Sequence, residues 1–377
     1  MSFFWHVLDE DDYDEARLPF IASGEGVKLL PYLDTASPAI PTVGIGFNMR
    51  DDALQDPIIR SIFYPGGQQE TVLGADETYV TQIRDTIAQS HASNEALRSS
   101  LDAIMEDRRQ YWEDAIALDP NIEHPGILRT TFSYANFEEM EAVFTEQAPT
   151  YEGRVDAWLA DIPPSNERIV LLSLSYNGVL SLSNNLKKAI QVDNRAEAWY
   201  EIRYATNAAT VGGVLKDALN PTLTEQDRAS YGFNGTAARR YAESQMFSLY
   251  EGYNVPEEED LIEIFQTITR HWTRIERYED LYGNQLSNAS QRYEFTVLSL
   301  DDTLEYARDL IVGIYASGAS IQKVWIDYTK NVDGTGSEKN KLDFSDRTEN
   351  ALFLGREGND VIRAGSGNDY LYGENGN

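Results

Sequence analysis

The chain has 377 residues, of which 42% are hydrophobic, so it is long enough for two or three domains with cores of their own. Its 62 acidic residues against 31 basic ones give a formal net charge of −31, which argues against nucleic acid as a partner because phosphate binding depends on Lys and Arg. The absence of cysteine excludes disulfides, thiol catalysis and cysteine-ligated zinc.

The N-terminal segment has neither of the features that direct a chain into a membrane or through the general secretory pathway. Residues 1–8 lead directly into the acidic run 9–12, without a basic leader or a long apolar stretch. No segment approaches the roughly 18 apolar residues of a membrane span. We therefore expect no membrane span, and we expect any export to use a different route.

Two carboxylates and a threonine follow one another closely near the N-terminus. Asp34 lies nine residues after Glu25, and Thr42 lies eight residues after Asp34. Such a carboxylate pair can frame a glycosidic bond, since one carboxylic acid protonates the leaving oxygen while the other group holds water or stabilises positive charge on the sugar. Gly44 and Gly46 in a strand-like run indicate a bend or a close backbone approach. Asp34 also suits a turn and Thr42 an ordinary strand.

Apolar residues at helical spacing predict several helices in the first 255 residues. Residues 167–176 are nearly all apolar, which indicates a buried central helix that ends at Asn177 and Gly178. Thr236 is the predicted N-cap of the helix over residues 237–250. The predicted helices cover residues 94–118, 167–176, 196–204 and 237–250.

The segment from about 256 to 325 carries no recognisable chemical motif. Its pattern predicts an amphipathic helix from Leu261 to Tyr282, a strand from Tyr293 to Leu300 and a further helix opened by Ser299. We interpret this segment as a helical extension.

The C-terminal segment repeats with a period of nine residues. The copies Gly355–Arg363 and Ala364–Tyr372 are followed by a third that begins at Gly373. They match Gly-Gly-x-Gly-x-Asp-x-aliphatic-x, the pattern of a calcium-binding β-roll. Aspartate and backbone carbonyls are the hard oxygen ligands that Ca²⁺ prefers, so Ca²⁺ is the expected cofactor here. The candidate metal-site residues are Asp360, Asp369, Gly358 and Gly367.

The period of the repeat predicts where its aspartates lie. Because Asp360 and Asp369 are one nonapeptide apart, we expect them on successive turns of a roll. The alternative for the whole segment is a disordered acidic tail.

The stretch around Glu25 resembles the catalytic signature of the phage-type lysozyme (muramidase) family, including its pesticin-like members. That signature is Glu-Gly, then a tyrosine and an aspartate on a hairpin, then Thr-hydrophobic-Gly-hydrophobic-Gly. Residues 168–177, 196–204 and 237–250 resemble the central, tryptophan-bearing and final Arg-rich helices of the family. The region from about 50 to 165 matches poorly, which indicates an insertion.

The resemblance implies an α+β, mainly α fold with a two-lobed lysozyme-like domain that has a small β-hairpin lobe. Together with the patterns along the chain, we expect the muramidase domain at residues 1–255, the helical extension at 256–325, and a linker with the start of a β-roll at 326–377.

The resemblance also implies a reaction and a set of site residues. The reaction is hydrolysis, with inversion, of the β-1,4 bond between N-acetylmuramic acid and N-acetylglucosamine in peptidoglycan. Glu25 would be the general acid, Asp34 and Thr42 would position the water, and no cofactor would be needed for catalysis. The implied substrate-binding residues are Tyr32, Gly46, Tyr176 and Asn177, although Tyr176 suits core packing equally well.

The C-terminal repeats resemble those of RTX proteins exported by type I secretion. We therefore expect a secreted, extracellular protein with peptidoglycan as its partner, type I secretion machinery as a second partner and an immunity protein as a third. Two alternatives remain open. One is a calcium-dependent binding or adhesion protein with an inactive lysozyme-like body, and the other is a chitin-type glycosidase.

Overall fold

The computed structural model describes residues 3–34, 39–65, 72–205, 233–252, 255–328, 341–356 and 360–373. These residues are mainly helical and carry small sheets, so the predicted α+β, mainly α class is confirmed. The helices are α1 (Glu10–Glu25), α2 (Asp52–Phe63), α3 (Glu77–Ala88), α4 (Asn94–Leu118), α5 (Phe137–Trp158), α6 (Asn166–Tyr176), α7 (Asn184–Gln191), α8 (Arg195–Tyr200), α9 (Phe233–Phe247), α10 (Glu258–Tyr282), α11 (Gln285–Tyr293) and α12 (Leu300–Tyr315).

The chain divides into two compact units, Asp14–Arg154 and Met1–Tyr13 with Val155–Asn377. The domain boundaries proposed at residues 255 and 325, the insertion and the lysozyme-like arrangement of lobes stay predictions. The predicted linker after residue 326 falls largely outside the described residues.

The unit Asp14–Arg154 holds a three-stranded antiparallel sheet of β1 (Lys28–Leu33), β2 (Pro41–Gly44) and β3 (Phe47–Asn48). Helix α4 anchors its first strand, because Asn94 Oδ1 accepts from the Leu33 N–H at 2.6 Å and Arg98 Nε donates to the Pro31 carbonyl at 2.7 Å. The hairpin is thus held by side chains of a long helix that the sequence predicts correctly.

A buried ion pair fixes α4 in the same unit. Arg108 donates to the Asp76 carboxylate at 2.8 and 2.9 Å, and Trp112 Nε1 donates to it at 2.8 Å. The side chain of Tyr64 donates to the second carboxylate oxygen. Asp76 and Arg108 are fully buried, and removing one member of such a pair typically costs about 3–5 kcal/mol.

Several helix boundaries match the sequence analysis. The predicted helices over residues 94–118 and 167–176 are confirmed as α4 and α6, and the helix that ends at Tyr282 is confirmed as α10. Ser299 caps α12, and its hydroxyl accepts from the Asp302 N–H as predicted.

Three predictions of local structure need correction. Residues 196–204 form α8 followed by a π-helical turn over Glu201–Ala205. Thr236 is not an N-cap, because α9 begins three residues earlier, at Phe233. The strand predicted from Tyr293 to Leu300 is wrong: α11 ends at Tyr293, α12 begins at Leu300, and the residues between them, including the buried Val297, form a loop.

The C-terminal strands form a parallel roll. In one sheet β6 (Ala351–Leu354) lies between β4 (Lys323–Ile326) and β8 (Tyr370–Tyr372), and in the other β5 (Lys341–Asp343) pairs with β7 (Val361–Arg363). Leu352 is in register with Tyr370, an offset of two nonapeptides.

Asp360 and Asp369, which are one nonapeptide apart, therefore lie in successive turns on opposite sides of the roll. One nonapeptide supplies one turn and one strand, and it takes the chain from one sheet of the roll to the other. Two nonapeptides therefore form one complete coil, which brings the chain back to the first sheet. Asp360 precedes β7 and Asp369 precedes β8, which are strands of different sheets.

The π-helical turn contains a buried carboxyl group whose protonation is shifted. Glu201 is 6% exposed and accepts from Asn185 Nδ2 at 3.2 Å. Burial raises the pKa of Glu201 to about 7, and the nearby Glu197 charge acts in the same direction. Burial also acts on Glu197, but hydrogen bonds and charges from His271 and Arg270 outweigh it and leave its pKa below the ordinary value. The pKa of Glu201 is thus raised above its ordinary value, whereas the pKa of Glu197 is lowered below it.

We predict that Glu201→Gln removes part of the loss of stability at high pH. The native carboxyl holds its proton up to about pH 7, whereas the unfolded one releases it near 4.5, so this group's stabilisation is complete below pH 4.5 and is lost as the pH rises through 7. The shift corresponds to roughly 3 kcal/mol. In urea unfolding at pH 5, 6, 7 and 8, the variant should gain on the wild type as the pH rises. Parallel stability curves for the two proteins would contradict the assignment, and Glu197→Gln serves as the control of opposite sign.

Candidate functional sites

Glu25 stands at the end of α1, where a glycine reverses the chain. Gly26 adopts a φ of +75°, and its N–H donates to the Ala22 carbonyl at 2.8 Å. Glycine reaches this left-handed conformation without the strain that a side chain would add, so it commonly terminates helices. The partly buried Glu25 is thereby fixed at the point where the helix passes into β1.

Gly46 brings the turn between β2 and β3 against the Glu25 side chain. Its φ is +91°, and a Cβ at this position would lie 3.2 Å from Glu25 Oε2 and 3.4 Å from Glu25 Cδ. The close backbone approach predicted from the glycines is confirmed here, and the group approached is the Glu25 carboxyl. Gly44 approaches the Phe47 ring in a comparable way, because a Cβ at Gly44 would lie 2.7 Å from a carbon of that ring.

Asp34 and Thr42 meet through the backbone of Ile40. Asp34 Oδ1 accepts from the Ile40 N–H at 2.7 Å, and the Asp34 N–H donates to the Ile40 carbonyl at 3.0 Å. The buried Thr42 hydroxyl donates to that same carbonyl at 3.0 Å. These contacts close the hairpin loop, so Asp34 has the turn role that its residue type favours. The Thr42 hydroxyl still has acceptor capacity, as any hydroxyl that donates one bond does.

Tyr32 connects the two carboxylates electrostatically. It lies opposite Thr42 in the β1–β2 register. Burial raises the pKa of its phenol, and the negative charges of Glu25 and Asp34 raise it further. The unit Asp14–Arg154 therefore brings Glu25, Asp34 and Thr42 toward Tyr32, and Gly46 toward Glu25. A carboxylate pair in such a cluster has the groups that general acid–base chemistry requires.

Helix α5 adds residues to this site that the sequence analysis did not identify. The sulfur of Met140 would lie 3.4 Å from a Cβ at Gly44. Burial raises the pKa of Tyr151, and the charges of Asp51 and Glu25 raise it too, against the effect of Arg154. No motif marks Tyr151 in the sequence, because an aromatic residue on an amphipathic helix is usually a core residue.

Tyr176 and Asn177 belong to the other compact unit. Asn177 is the C-cap of α6, and its side-chain amide donates to the Ser173 carbonyl at 2.7 Å. The next residue, Gly178, has a φ of +69° and ends the helix as the sequence indicates. Their predicted contact with substrate stays a prediction.

The roll places oxygen donors from two coils beside Gly355. A Cβ there would lie 3.2 Å from Asp360 Oδ2 and 3.3 Å from the Gly373 carbonyl oxygen, one coil further on. Both carboxylate oxygens of Asp360 are buried. A carboxylate oxygen and a carbonyl oxygen beside Gly355 are donors of the class that Ca²⁺ prefers, so these residues fit the ion. Gly358 lies outside the described residues.

The opposite side of the roll is held together by backbone stacking. A Cβ at Gly365 would lie 1.9 Å from the Arg347 carbonyl oxygen, and one at Gly367 would lie 2.3 Å from that of Glu349. Only glycine fits at these positions. Asp369 Oδ1 accepts from the Ala351 N–H at 2.9 Å, so Asp369 also ties one coil to the next. A role for Asp369 and Gly367 in binding metal stays a prediction.

Comparisons with known proteins bear on the C-terminal segment alone. A family model described as RTX calcium-binding nonapeptide repeat (4 copies) matches residues 352–377, which confirms the predicted repeats. No curated protein and no solved structure matches the chain. Among the described residues, no helix is long and apolar enough to cross a membrane.

We predict that Gly46→Ala destabilises the protein more than Gly26→Ala. Both variants force a side chain into a left-handed conformation, which costs of the order of 1–3 kcal/mol. Only the first also presses a methyl group against a carboxyl, because the position of a Cβ at Gly26 has no atom within 4 Å. Urea unfolding of both variants measures the difference, and equal losses would show that the approach of Gly46 to Glu25 is looser than described.

Proposed function

We propose that this protein is a secreted peptidoglycan hydrolase of the muramidase type. The observation that carries the proposal is the contact of the Gly46 backbone with the Glu25 carboxyl, beside an Asp34–Thr42 pair that shares Ile40. A glycoside hydrolase needs a carboxylic acid and a second carboxylate at one site; Glu25 at the end of α1 and Asp34 after β1 are the candidates. The choice of peptidoglycan rests on the resemblance of the Glu25 stretch to phage-type lysozymes.

In the proposed reaction each residue has one task. Glu25 donates its proton to the glycosidic oxygen as the bond to the leaving sugar breaks. The Asp34 carboxylate takes up a proton from the attacking water, which the Thr42 hydroxyl helps to orient, and charge on the sugar is stabilised by the same carboxylate. Gly46 leaves the space beside Glu25 that a side chain would fill. The bond cleaved is the β-1,4 bond between N-acetylmuramic acid and N-acetylglucosamine.

The RTX repeats support secretion, because repeats of this kind are typical of type I secretion substrates. We therefore propose an extracellular location, with the wall of a neighbouring cell as the substrate.

One observation favours a second candidate, a calcium-dependent binding protein with an inactive body. Asp34 Oδ1 and the Thr42 hydroxyl are both bonded to Ile40, so both residues have a structural use that needs no catalysis. The two candidates differ in whether purified walls are digested. A chitin-type glycosidase would digest chitin oligosaccharides instead, which mass analysis of the released sugars distinguishes.

We predict that Glu25→Gln lowers the rate of peptidoglycan digestion by at least about 10²-fold, the usual contribution of a general acid. The amide preserves the shape of the side chain but cannot donate the proton. Turbidity loss of purified peptidoglycan measures the rate, and circular dichroism checks the fold. Glu15→Gln, an exposed glutamate on the same helix, should leave the rate unchanged. A folded Glu25→Gln protein that clears walls at the wild-type rate would rule out this role, and an inactive wild type would favour the binding protein.

We predict that the first product has inverted configuration at the anomeric carbon. Water placed by Asp34 and Thr42 attacks the face opposite the leaving group, whereas a retaining enzyme would form a covalent intermediate on the carboxylate. Proton NMR recorded before mutarotation should therefore show the α-anomer first. Initial release of the β-anomer would assign Asp34 as a nucleophile instead.

A further inference from the structure

Helix α10 contacts both helices and the roll within its own unit. Toward the helices, Glu279 accepts from the hydroxyls of Tyr204 at 2.6 Å and Tyr241 at 3.0 Å, and Glu197 accepts from His271 at 2.9 Å. Residues nearer the middle of α10 contact the first strand of the roll. The helix is therefore the element through which the roll is attached to the helical body.

The core of the roll is completed by a side chain from α10. Trp325 of β4 packs edge-on against Trp272 at a ring separation of 4.8 Å and stacks on Phe344 at 4.1 Å. Trp272 also packs against the buried cluster that includes Phe353 of β6, and Ile362 of β7 packs against the same cluster. Phe353 and Ile362, which precede and follow Asp360 along the chain, thus share one apolar core with Trp272 of α10.

Polar contacts along the same face reinforce the attachment. Thr269 Oγ1 accepts from the Ile326 N–H at 3.1 Å, and Gln266 Nε2 donates to the Asp327 carbonyl at 2.5 Å. Arg347, in the turn on which Gly365 stacks, forms an ion pair with Glu276 at 2.5 Å. Four successive turns of α10 therefore contact the roll, at Gln266, Thr269, Trp272 and Glu276.

We propose that calcium binding at the C-terminal repeats stabilises α10 and the helices packed on it, with Trp272 as the coupling residue. Calcium binds the ordered roll, since Asp360 and the Gly373 carbonyl come together only when the coils are stacked. The ordered roll packs against the partly buried Trp272, so an opening of α10 that disrupts this shared core also releases the ion. By mass action, calcium then suppresses opening of α10 as well as opening of the roll. The proposal does not depend on the enzymatic function.

Hydrogen exchange of the full chain, with and without Ca²⁺, tests the coupling. At calcium about 100 times its dissociation constant, exchange through these openings should slow by up to about 100-fold in both residues 341–373 and residues 258–282. Magnesium at the same concentration should have little effect. Slowing confined to residues 341–373, or no effect of calcium in either segment, would overturn the proposal.

Matched variants identify the coupling residue. In Trp272→Ala, calcium should still slow exchange in residues 341–373 but no longer in 258–282, whereas Thr273→Ala, an exposed neighbour on the same helix, should behave as the wild type does. Asp360→Ala should abolish slowing in both segments. Calcium protection of α10 that survives in Trp272→Ala or in Asp360→Ala would refute the assignment. If Trp272→Ala does not fold, Trp272→Phe should show several-fold less protection of α10 than the wild type, and equal protection would refute it.

Discussion

Close approach of backbone to neighbouring groups, at positions where glycine leaves room, is the constraint on which both candidate sites depend. At Gly46 the group approached is the Glu25 carboxyl, and at Gly355 it is the Asp360 carboxyl. At Gly365 the group is a carbonyl of the preceding coil, so a methyl group there would prevent the coils from stacking. In each case a side chain would occupy the space in which a carboxylate or a carbonyl must lie. The glycines therefore position the chemistry without taking part in it, and they explain why two unrelated segments of this chain share a high glycine content.

The sequence predicts most reliably where a single local rule operates. The long amphipathic stripe of α4, the buried apolar run of α6 and the cap of α12 at Ser299 are each dictated by periodicity or by one side-chain contact, and all three are confirmed. The hairpin after Glu25 and the nonapeptide repeats can be identified from short sequence motifs, because each motif requires particular residue types at fixed positions. The offset of two nonapeptides between paired strands could not be predicted in this way, because it depends on which strands pair. The repeat itself shows only the nine-residue period of one turn and one strand.

Features that depend on distant partners escape local rules. Arg108 lies at a position of α4 that faces the core, where a charged side chain is not expected. Its burial is possible because Asp76, from another segment, pairs with it. The apolar residues near Val297 alternate with polar ones as in a strand, but they lie in a loop, where Val297 is buried without a partner strand. Tyr151 reaches the vicinity of Glu25 from a helix more than a hundred residues away along the chain, and neither its type nor its spacing reveals that. In all three cases the deciding contact is tertiary.

The attachment of the roll to α10 follows from the same balance between local and distant contacts. A few coils bury little apolar surface, and stacked repeats gain stability mainly from the interfaces between neighbours. The first coil of such an array has a neighbour on one side only, unless another element covers its open end. Trp272 provides that cover, since its indole packs against the first strand of the roll, where a preceding coil would otherwise lie. A short array of repeats is therefore better regarded as a continuation of the helical core than as an independent tail.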